Sequence, residues 1–158
     1  MAKVLVLYFT RTGNTKAMAE FVASGAEKEG AEVVLKDVES AKSEELLEFD
    51  AIIAGSPTYY GGMAGKMKEF FDFSVAHHGK LAGKVGGAFT SSANIGGGNE
   101  TTVLDILHSL LIHGMIVQGT ADGDHYGPVS IDAPDDRAQA QCESLGRRVA
   151  VLAARLFG

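Results

Sequence analysis

Three short polar segments of the sequence contain residue types that can hold a phosphorylated ligand. The first is Thr10-Arg11-Thr12-Gly13-Asn14-Thr15, which lies between an apolar run and a segment with helical periodicity. Its hydroxyls, its amide and the free N–H groups of a helix N-terminus together form an anion site. The P-loop pattern with its lysine and the spacing GxGxxG are both missing, so the segment favours a terminal monophosphate. The alternative is an ordinary helix cap rich in threonine and asparagine.

The second segment, Ser56 to Gly62, reads SPTYYGG and follows another apolar run. Tyr59 and Tyr60 are suited to form a wall for a flat ring. Gly61 and the glycine after it allow the backbone to turn and to present peptide groups to that ring. The alternative is a simple turn whose tyrosines pack on neighbouring side chains.

The third segment, residues 91–100, reads SSANIGGGNE and precedes a helical pattern. Its two serines and Asn94 can donate hydrogen bonds to the edge of a heteroaromatic ring. The run from Gly96 to Gly98 would let the backbone approach that ring closely, where side chains would clash. Replacing Gly97 with valine is then expected to reduce cofactor affinity more than it reduces fold stability. The alternative is a flexible connector.

The elements that must position these segments alternate along the chain. Apolar runs predict strands at residues 3–9, 31–37, 50–55, 84–91 and 115–118, and apolar residues at helical spacing predict helices over 14–29, 63–77, 101–113 and 135–157. This alternation predicts a parallel sheet covered by helices on both faces, with right-handed crossovers. Such sheets bind ligands at the carboxyl ends of their strands. Because each polar segment follows a strand, the three are expected to meet around one phosphorylated planar cofactor.

Composition narrows the class of protein. The chain has 158 residues, a length that suits a single domain over residues 1–158. Its net charge is −6 and it has no basic cluster, and both features argue against nucleic-acid binding. No apolar run is long enough to span a membrane, and the first residues lack the pattern of a signal peptide. Cys142 is the only cysteine, so no internal disulfide can form. Proteins of the reducing cytoplasm typically lack disulfides, so we expect a cytoplasmic location.

The motifs resemble the flavodoxin-like family. The pattern TxTGNT after the first strand is similar to that family's FMN-phosphate loop. The stretches SPTYYGGMAGKMKEFFD and FTSSANIGGGNETTVLDILHSLLIHGM resemble the tryptophan-repressor-binding-protein type of NAD(P)H:quinone oxidoreductase. The resemblance spans most of residues 3–118, and it implies a three-layer α/β sandwich with a five-stranded parallel sheet of order 2-1-3-4-5.

The resemblance also implies roles for individual residues. The FMN phosphate would be held by Thr10, Arg11, Thr12, Gly13, Asn14 and Thr15. The isoalloxazine would be lined by Pro57, Thr58, Tyr59 and Tyr60 on one side, and by Ser91, Ser92, Asn94 and Gly96 on the other side and at its pyrimidine edge. His113 would lie near the pocket for nicotinamide and quinone, across a subunit interface in a dimer or tetramer. Its alternative role is that of a histidine stabilised by the dipole at a helix C-terminus.

The function implied by this resemblance is two-electron reduction of a quinone by NAD(P)H, with His113 donating a hydrogen bond or a proton. The alternative is an electron carrier that passes single electrons between redox proteins. Carriers commonly surround the flavin with acidic residues, and residues 56–62 and 91–98 contain neither Asp nor Glu. A third alternative is an interaction protein without a flavin, which the three intact segments disfavour.

Overall fold

The sheet follows a five-strand path that is parallel throughout. The computed structural model describes residues 1–158. Its strands are β1 (Lys3–Tyr8), β2 (Glu32–Asp37), β3 (Ala51–Tyr59), β4 (Gly62–Met63), β5 (Val85–Ser92), β6 (Ile116–Val117) and β7 (Val129–Ile131). The path runs β2-β1-β3-β5-β6, while β4 pairs with β3 and β7 pairs with β5. The predicted order 2-1-3-4-5 is therefore confirmed along the main path, and β4 and β7 are additions to it.

Helices cover both faces of the sheet. They are α1 (Asn14–Glu27), α2 (Gly65–Phe73), α3 (Asn99–Ile112) and α4 (Asp136–Phe157), with 3-10 helices at Ser43–Glu48 and Ser74–His77. Successive strand residues face opposite sides. Val4 and Val6 of β1 pack in one core with α1 and α4, whereas Leu5 and Leu7 pack in a second core with residues of α2 and α3. The predicted three-layer sandwich is confirmed. None of these helices has both the length and the apolar character needed to cross a membrane.

The helix that carries the first polar segment is anchored firmly. A Cβ atom at Gly146 of α4 would lie 1.9 Å from the carbonyl oxygen of Val22, and one at Gly25 of α1 would lie 2.1 Å from that of Glu143. The two helix backbones are therefore in direct contact. This close packing fixes the N-terminus of α1 relative to the sheet.

The last predicted strand is shorter than expected, and the sheet edge beside β5 is built from two pieces. Residues 115–118 supply only Ile116–Val117, which pair with the amino end of β5. The chain then leaves the sheet and returns as β7, which pairs with Thr90–Ser92 at the carboxyl end of β5. Sequence periodicity did not predict β7 because a three-residue strand has almost no period to detect.

Candidate functional site

The carboxyl ends of β1, β3 and β5 bring the three polar segments together. We refer to them as loop 1 (residues 10–15), loop 2 (56–62) and loop 3 (91–98). They surround a cavity of about 380 Å³, here called the inner cavity. Its walls are Arg11, Thr12, Asn14, Thr15, Pro57, Thr58, Tyr59, Ser91, Ser92, Ala93 and Asp132. Residues of all three loops therefore lie side by side, as the strand assignments predicted.

Loop 1 presents backbone donors and a cation to the inner cavity. Gly13 is the N-cap of α1 at φ +98°, and its N–H donates to Thr10 Oγ1 at 3.1 Å. The first turn of α1 contains no acidic side chain, so no carboxylate of the helix itself offsets the positive end of its dipole. Arg11 is exposed and forms no ion pair within the chain. The remaining N–H groups at the start of α1, which have no intrahelical acceptor, and the Arg11 guanidinium suit a phosphate dianion.

Hydroxyl pairs hold the loops in place. Thr15 Oγ1 and Ser91 Oγ lie 2.8 Å apart, and both side chains are buried, so loop 1 is tied to loop 3. Thr58 Oγ1 and Thr90 Oγ1 lie 2.9 Å apart and tie loop 2 to β5. Thr90 donates its proton to the Ser56 carbonyl at 2.6 Å, so Thr58 is the donor in that second pair. The cavity walls are therefore fixed by the protein itself.

Loop 2 is a tight hairpin with an aromatic residue at its tip. Tyr59 pairs with Gly62, which leaves Tyr60 and Gly61 as a two-residue turn with φ values of +48° and +82°. Positive φ at both positions is the pattern of a type I′ turn, in which Asn-Gly is favoured. The Tyr60 side chain has a relative exposure of 111%, so no contact within the protein offsets its backbone strain. Strain at an exposed aromatic residue points to a role in binding.

Loop 3 contacts loop 2 through Gly98, which the sequence analysis named only as part of the glycine run and gave no individual role. Gly98 has φ +109°, and a Cβ atom there would lie 2.7 Å from Gly61 Cα. Thr101 Oγ1 strengthens the same contact by donating to the Gly61 carbonyl at 2.7 Å. By contrast, a Cβ at Gly96 would meet nothing within 4 Å, and one at Gly97 would lie 3.1 Å from the Asn94 carbonyl. Gly98 is therefore the glycine of the run that loop packing requires.

The other predicted residues lie around the inner cavity and not in its wall. They are Thr10, Gly13, Tyr60, Gly61, Asn94, Gly96 and Gly97. The Asn94 carbonyl accepts hydrogen bonds from Ser92 Oγ at 3.2 Å and from the Gly97 N–H at 3.3 Å. Ser92 Oγ in turn accepts from Asn99 Nδ2 at 2.5 Å. These contacts shape the tip of loop 3.

A second, larger cavity lies on the other side of loop 3. This outer cavity has a volume of about 590 Å³. Its walls are Ile95, Gly96, Gly98, Asn99, Glu100, Thr101, Val129, Ile131, Asp135 and Arg137. A side pocket of about 100 Å³ shares Glu100 and Val129 with it and adds His125 and Tyr126. Loop 3 therefore separates two concave surfaces at the same edge of the sheet.

His113 does not lie with the loops. It follows α3, whose 14 residues span about 20 Å from loop 3 to the opposite edge of the sheet. There the next residue, Gly114, accepts a hydrogen bond at its carbonyl from the Gly83 N–H, just before β5 begins. Within one chain His113 is therefore remote from the inner cavity, and it instead borders a separate groove of about 490 Å³ between α2 and α3.

The contacts of His113 are those of a structural residue. Its Nε2 lies 2.7 Å from Ser74 Oγ, and Ser74 donates its own proton to the Phe71 carbonyl at 2.6 Å. Nε2 must therefore carry a proton and donate, which leaves Nδ1 unprotonated in the neutral ring. Burial lowers the pKa of His113, and neighbouring His78 and His77 lower it further. The neutral imidazole joins the ends of α2 and α3.

Asp132 is a wall residue of the inner cavity that the sequence did not reveal. It follows β7 at φ +55°, and its N–H donates to the Ser92 carbonyl at 2.9 Å. Aspartate tolerates this left-handed conformation better than most residues do. Because β7 itself was not predicted, nothing in the sequence placed Asp132 beside loop 1 or loop 3.

This arrangement matches a known family. The sequence profile of the flavodoxin domain family matches residues 5–109 of the chain. The chain belongs to this flavodoxin domain family, and its membership implies that it binds a flavin. The structure resembles a WrbA-like flavodoxin from Agrobacterium tumefaciens with a TM-score of 0.84 and 29% identity, covering 98% of this chain and 99% of the other.

Two relatives show the range of proteins that the chain resembles. A flavodoxin from Aquifex aeolicus is 46% identical over 159 residues, which cover 95% of this chain and 86% of the relative. An NAD(P)H dehydrogenase (quinone) from Archaeoglobus fulgidus is 37% identical over 190 residues, which cover 99% of this chain and all of the relative. The second alignment is longer than the 158 residues of this chain, so that relative contains residues that this chain lacks.

Proposed function

We propose that the protein is an FMN-dependent NAD(P)H:quinone oxidoreductase. The observation that carries this proposal is the inner cavity, whose wall brings Arg11 and the start of α1 together with Tyr59 of loop 2 and the two serines of loop 3. Relatives named NAD(P)H dehydrogenase (quinone) match the chain at 36–45% identity, and they support the type of reaction.

The residues of the cavity fit FMN. The phosphate would be bound by the backbone and hydroxyl donors of loop 1 and by Arg11, which has no other ionic partner. Tyr59, Tyr60 and the flanking residues Pro57, Thr58 and Gly61 would face one side of the ring system. Ser91, Ser92, Asn94, Gly96 and Gly97 would face the other. The Asp132 carboxylate can accept hydrogen bonds from ribityl hydroxyls but not from a phosphate dianion, so the ribityl chain, and not the phosphate, would lie beside Asp132.

The chemistry that FMN supplies when bound is electron transfer from a nicotinamide donor to an acceptor such as a quinone. The protein binds and orients the reactants. Exposed apolar side chains at the rim, those of Tyr60, Ile95 and Tyr126, would exclude water from a planar reactant that stacks there. His113 has no part in this scheme within one chain, because it lies at the far end of α3.

An electron carrier is the second candidate function. The flavodoxin from Aquifex aeolicus is 46% identical to the chain over 95% of its length. Asp132 also places a carboxylate in the wall of the inner cavity. A nearby negative charge disfavours an anionic reduced flavin and so lowers the reduction potential of the flavin. A low potential suits an electron carrier. Loops 2 and 3 contain no acidic residue, however, and this favours the oxidoreductase.

Steady-state turnover separates the two functions. Protein loaded with FMN and freed of excess cofactor should oxidise NADH or NADPH when 1,4-benzoquinone is present, and the same protein without FMN should not. A loaded protein that binds FMN with high affinity yet oxidises neither nucleotide would contradict the oxidoreductase and support the carrier.

Two further proposals concern assembly and location. We expect a homodimer or homotetramer, since Phe73, Val75 and Ile112 expose large apolar surfaces at the edge of the sheet opposite the loops. We also expect a cytoplasmic protein, because its single cysteine, Cys142, is buried as a free thiol.

A further inference from the structure

We infer that Thr101 and Asp105 of α3 are positioning residues that hold the strained turn of loop 2 in the shape that receives the flavin ring. Neither residue lines the inner cavity, so both act through Tyr60 and not by touching the cofactor. The inference rests on the proposed function, because it takes FMN as the group bound at that cavity. It goes beyond that function by naming what keeps the aromatic turn in place.

The turn at Tyr60 and Gly61 needs contacts that hold it, because its conformation is costly. Tyr60 has φ +48°, and strained residues persist only where the surrounding structure determines their conformation. The Tyr60 side chain is fully exposed, so it contributes no contact that would hold the turn. The conformation must therefore be maintained by contacts of the neighbouring backbone.

Two side chains of α3 hold that neighbouring backbone. Thr101 Oγ1 donates to the Gly61 carbonyl at 2.7 Å, and the Met63 N–H donates to Asp105 Oδ2 at 2.9 Å. The Thr101 hydroxyl also lies 3.0 Å from the Gly98 carbonyl, so it stands between loops 2 and 3. Residues four apart lie on the same face of a helix, so one face of α3 makes both contacts. We call these two contacts the α3 clamp.

The carboxylate of Asp105 is committed to the hairpin. A Cβ atom at Gly62 would lie 3.0 Å from Asp105 Oδ2, so a glycine at this position gives the carboxylate access to the hairpin backbone. Asp105 forms no ion pair, and the Met63 N–H is its one hydrogen-bond partner in the chain. A hydrogen bond to an ionised acceptor is roughly twice as strong as a neutral one. Asp105 is therefore the stronger half of the α3 clamp.

A positioning role and a purely structural role differ in what they predict for the ring of Tyr60. If the α3 clamp only stabilises the fold, its loss lowers FMN affinity by the same factor with or without that ring. If the clamp acts through Tyr60, its loss has no further effect once the ring has been removed. A double-mutant cycle measures this difference.

The test measures the Kd for FMN by fluorescence titration in a cycle between Asp105→Ala and Tyr60→Ala. Thr101→Val removes the other contact of the clamp at nearly constant side-chain size, and it enters a second cycle with Tyr60→Ala. Asp105→Asn is the conservative variant, since its amide oxygen can still accept from the Met63 N–H. His108→Gln, at an exposed position of the same helix, is the control.

Limited digestion of the cofactor-free proteins with chymotrypsin gives a second readout that does not depend on FMN. Chymotrypsin cleaves after exposed aromatic residues, and the fragments are identified by mass. Cleavage after Tyr60 reports the freedom of the turn. Cleavage after Tyr126, which is 50% exposed and lies outside the hairpin, is the internal reference for changes in the whole fold.

Both clamp variants, Asp105→Ala and Thr101→Val, should raise the Kd for FMN about 3-fold to 30-fold. They should speed cleavage after Tyr60 but not after Tyr126. In the Tyr60→Ala background, each should raise the Kd less than about twofold. Asp105→Asn should restore most of the affinity, and His108→Gln should leave the affinity and both cleavage rates unchanged.

Two results would overturn the inference and leave the proposed function standing. The first is an FMN affinity that neither clamp variant changes. The second is a loss of affinity that is as large in the Tyr60→Ala background as in its absence. If the unchanged protein itself does not bind FMN, the proposed function fails and the inference fails with it.

Discussion

Replacing Tyr60 with asparagine should stabilise the protein and weaken FMN binding at the same time. Tyr60 has φ +48° in a two-residue turn, and its side chain is fully exposed. A left-handed conformation costs an ordinary L-residue about 1–2 kcal/mol, whereas asparagine adopts it readily and Asn-Gly is a preferred type I′ pair. No buried contact is lost in exchange. We expect Tyr60→Asn to raise the free energy of unfolding of the cofactor-free protein by about 1 kcal/mol, or about 2–4 °C in Tm.

The same change removes an aromatic wall from the proposed flavin site. Stacking of a base on an aromatic side chain contributes about 1–3 kcal/mol, and a flavin ring offers a comparable surface. The Kd for FMN should therefore rise about 5-fold to 150-fold. Quenching of FMN fluorescence during titration measures this affinity, and thermal unfolding of the cofactor-free protein measures the stability.

Tyr60→Phe is the matched control, because it retains both the ring and the strain. It should leave the stability and the FMN affinity close to those of the unchanged protein. A Tyr60→Asn protein that binds FMN as tightly as before would refute the proposed role of the side chain. A variant that is no more stable than the parent would refute the strain at the turn.

The remaining predictions concern the contacts between the loops and the role of His113. Gly98→Ala should lower the free energy of unfolding by about 1–3 kcal/mol and weaken FMN binding, because its Cβ would lie 2.7 Å from the Gly61 Cα. Gly96→Ala, at φ +72° but in open space, is the control that isolates this contact from backbone strain. Thr15→Val leaves the buried Ser91 hydroxyl without its partner, which should cost about 1–3 kcal/mol in unfolding free energy and raise the Kd for FMN; an unchanged Kd would mean that loop 1 is positioned by other contacts. His113→Gln should reduce stability but not the quinone turnover of folded, FMN-loaded protein. Because the folded pKa of His113 is below the value of about 6.5 in the unfolded chain, its stabilising effect is present above pH 6.5 and is lost as the pH falls towards the folded pKa. Denaturant unfolding at several pH values should show this pH dependence of stability in the parent and a weaker one in His113→Gln. A slower quinone turnover in that variant would show that His113 takes part in the reaction.

Sequence patterns predicted the parts of the fold that have a period or a strong local signal. The parallel strands, the four helices and the meeting of three loops at one edge follow from apolar runs and from the rule that ligands bind at strand carboxyl ends. The resemblance to a family added the strand order and the identity of the cofactor.

What the sequence did not predict depends on long-range packing. β7 and Asp132 were missed because a three-residue strand has no periodic signal. The need for glycine at position 98 arises from contact with Gly61, which is distant in sequence. The resemblance placed His113 near the reaction across a subunit interface; within one chain α3 carries it to the opposite edge of the sheet, where it contacts Ser74, and its role across an interface stays a prediction.

The most direct test of the proposed function is rapid anaerobic mixing of FMN-loaded protein with NADH and, separately, with NADPH, while the flavin absorbance near 450 nm is recorded. An NAD(P)H:quinone oxidoreductase should lose this absorbance in a single two-electron step with at least one nucleotide and regain it when 1,4-benzoquinone is added. Absorbance that neither nucleotide changes, together with a persistent one-electron-reduced flavin during dithionite titration, would contradict the oxidoreductase and identify an electron carrier.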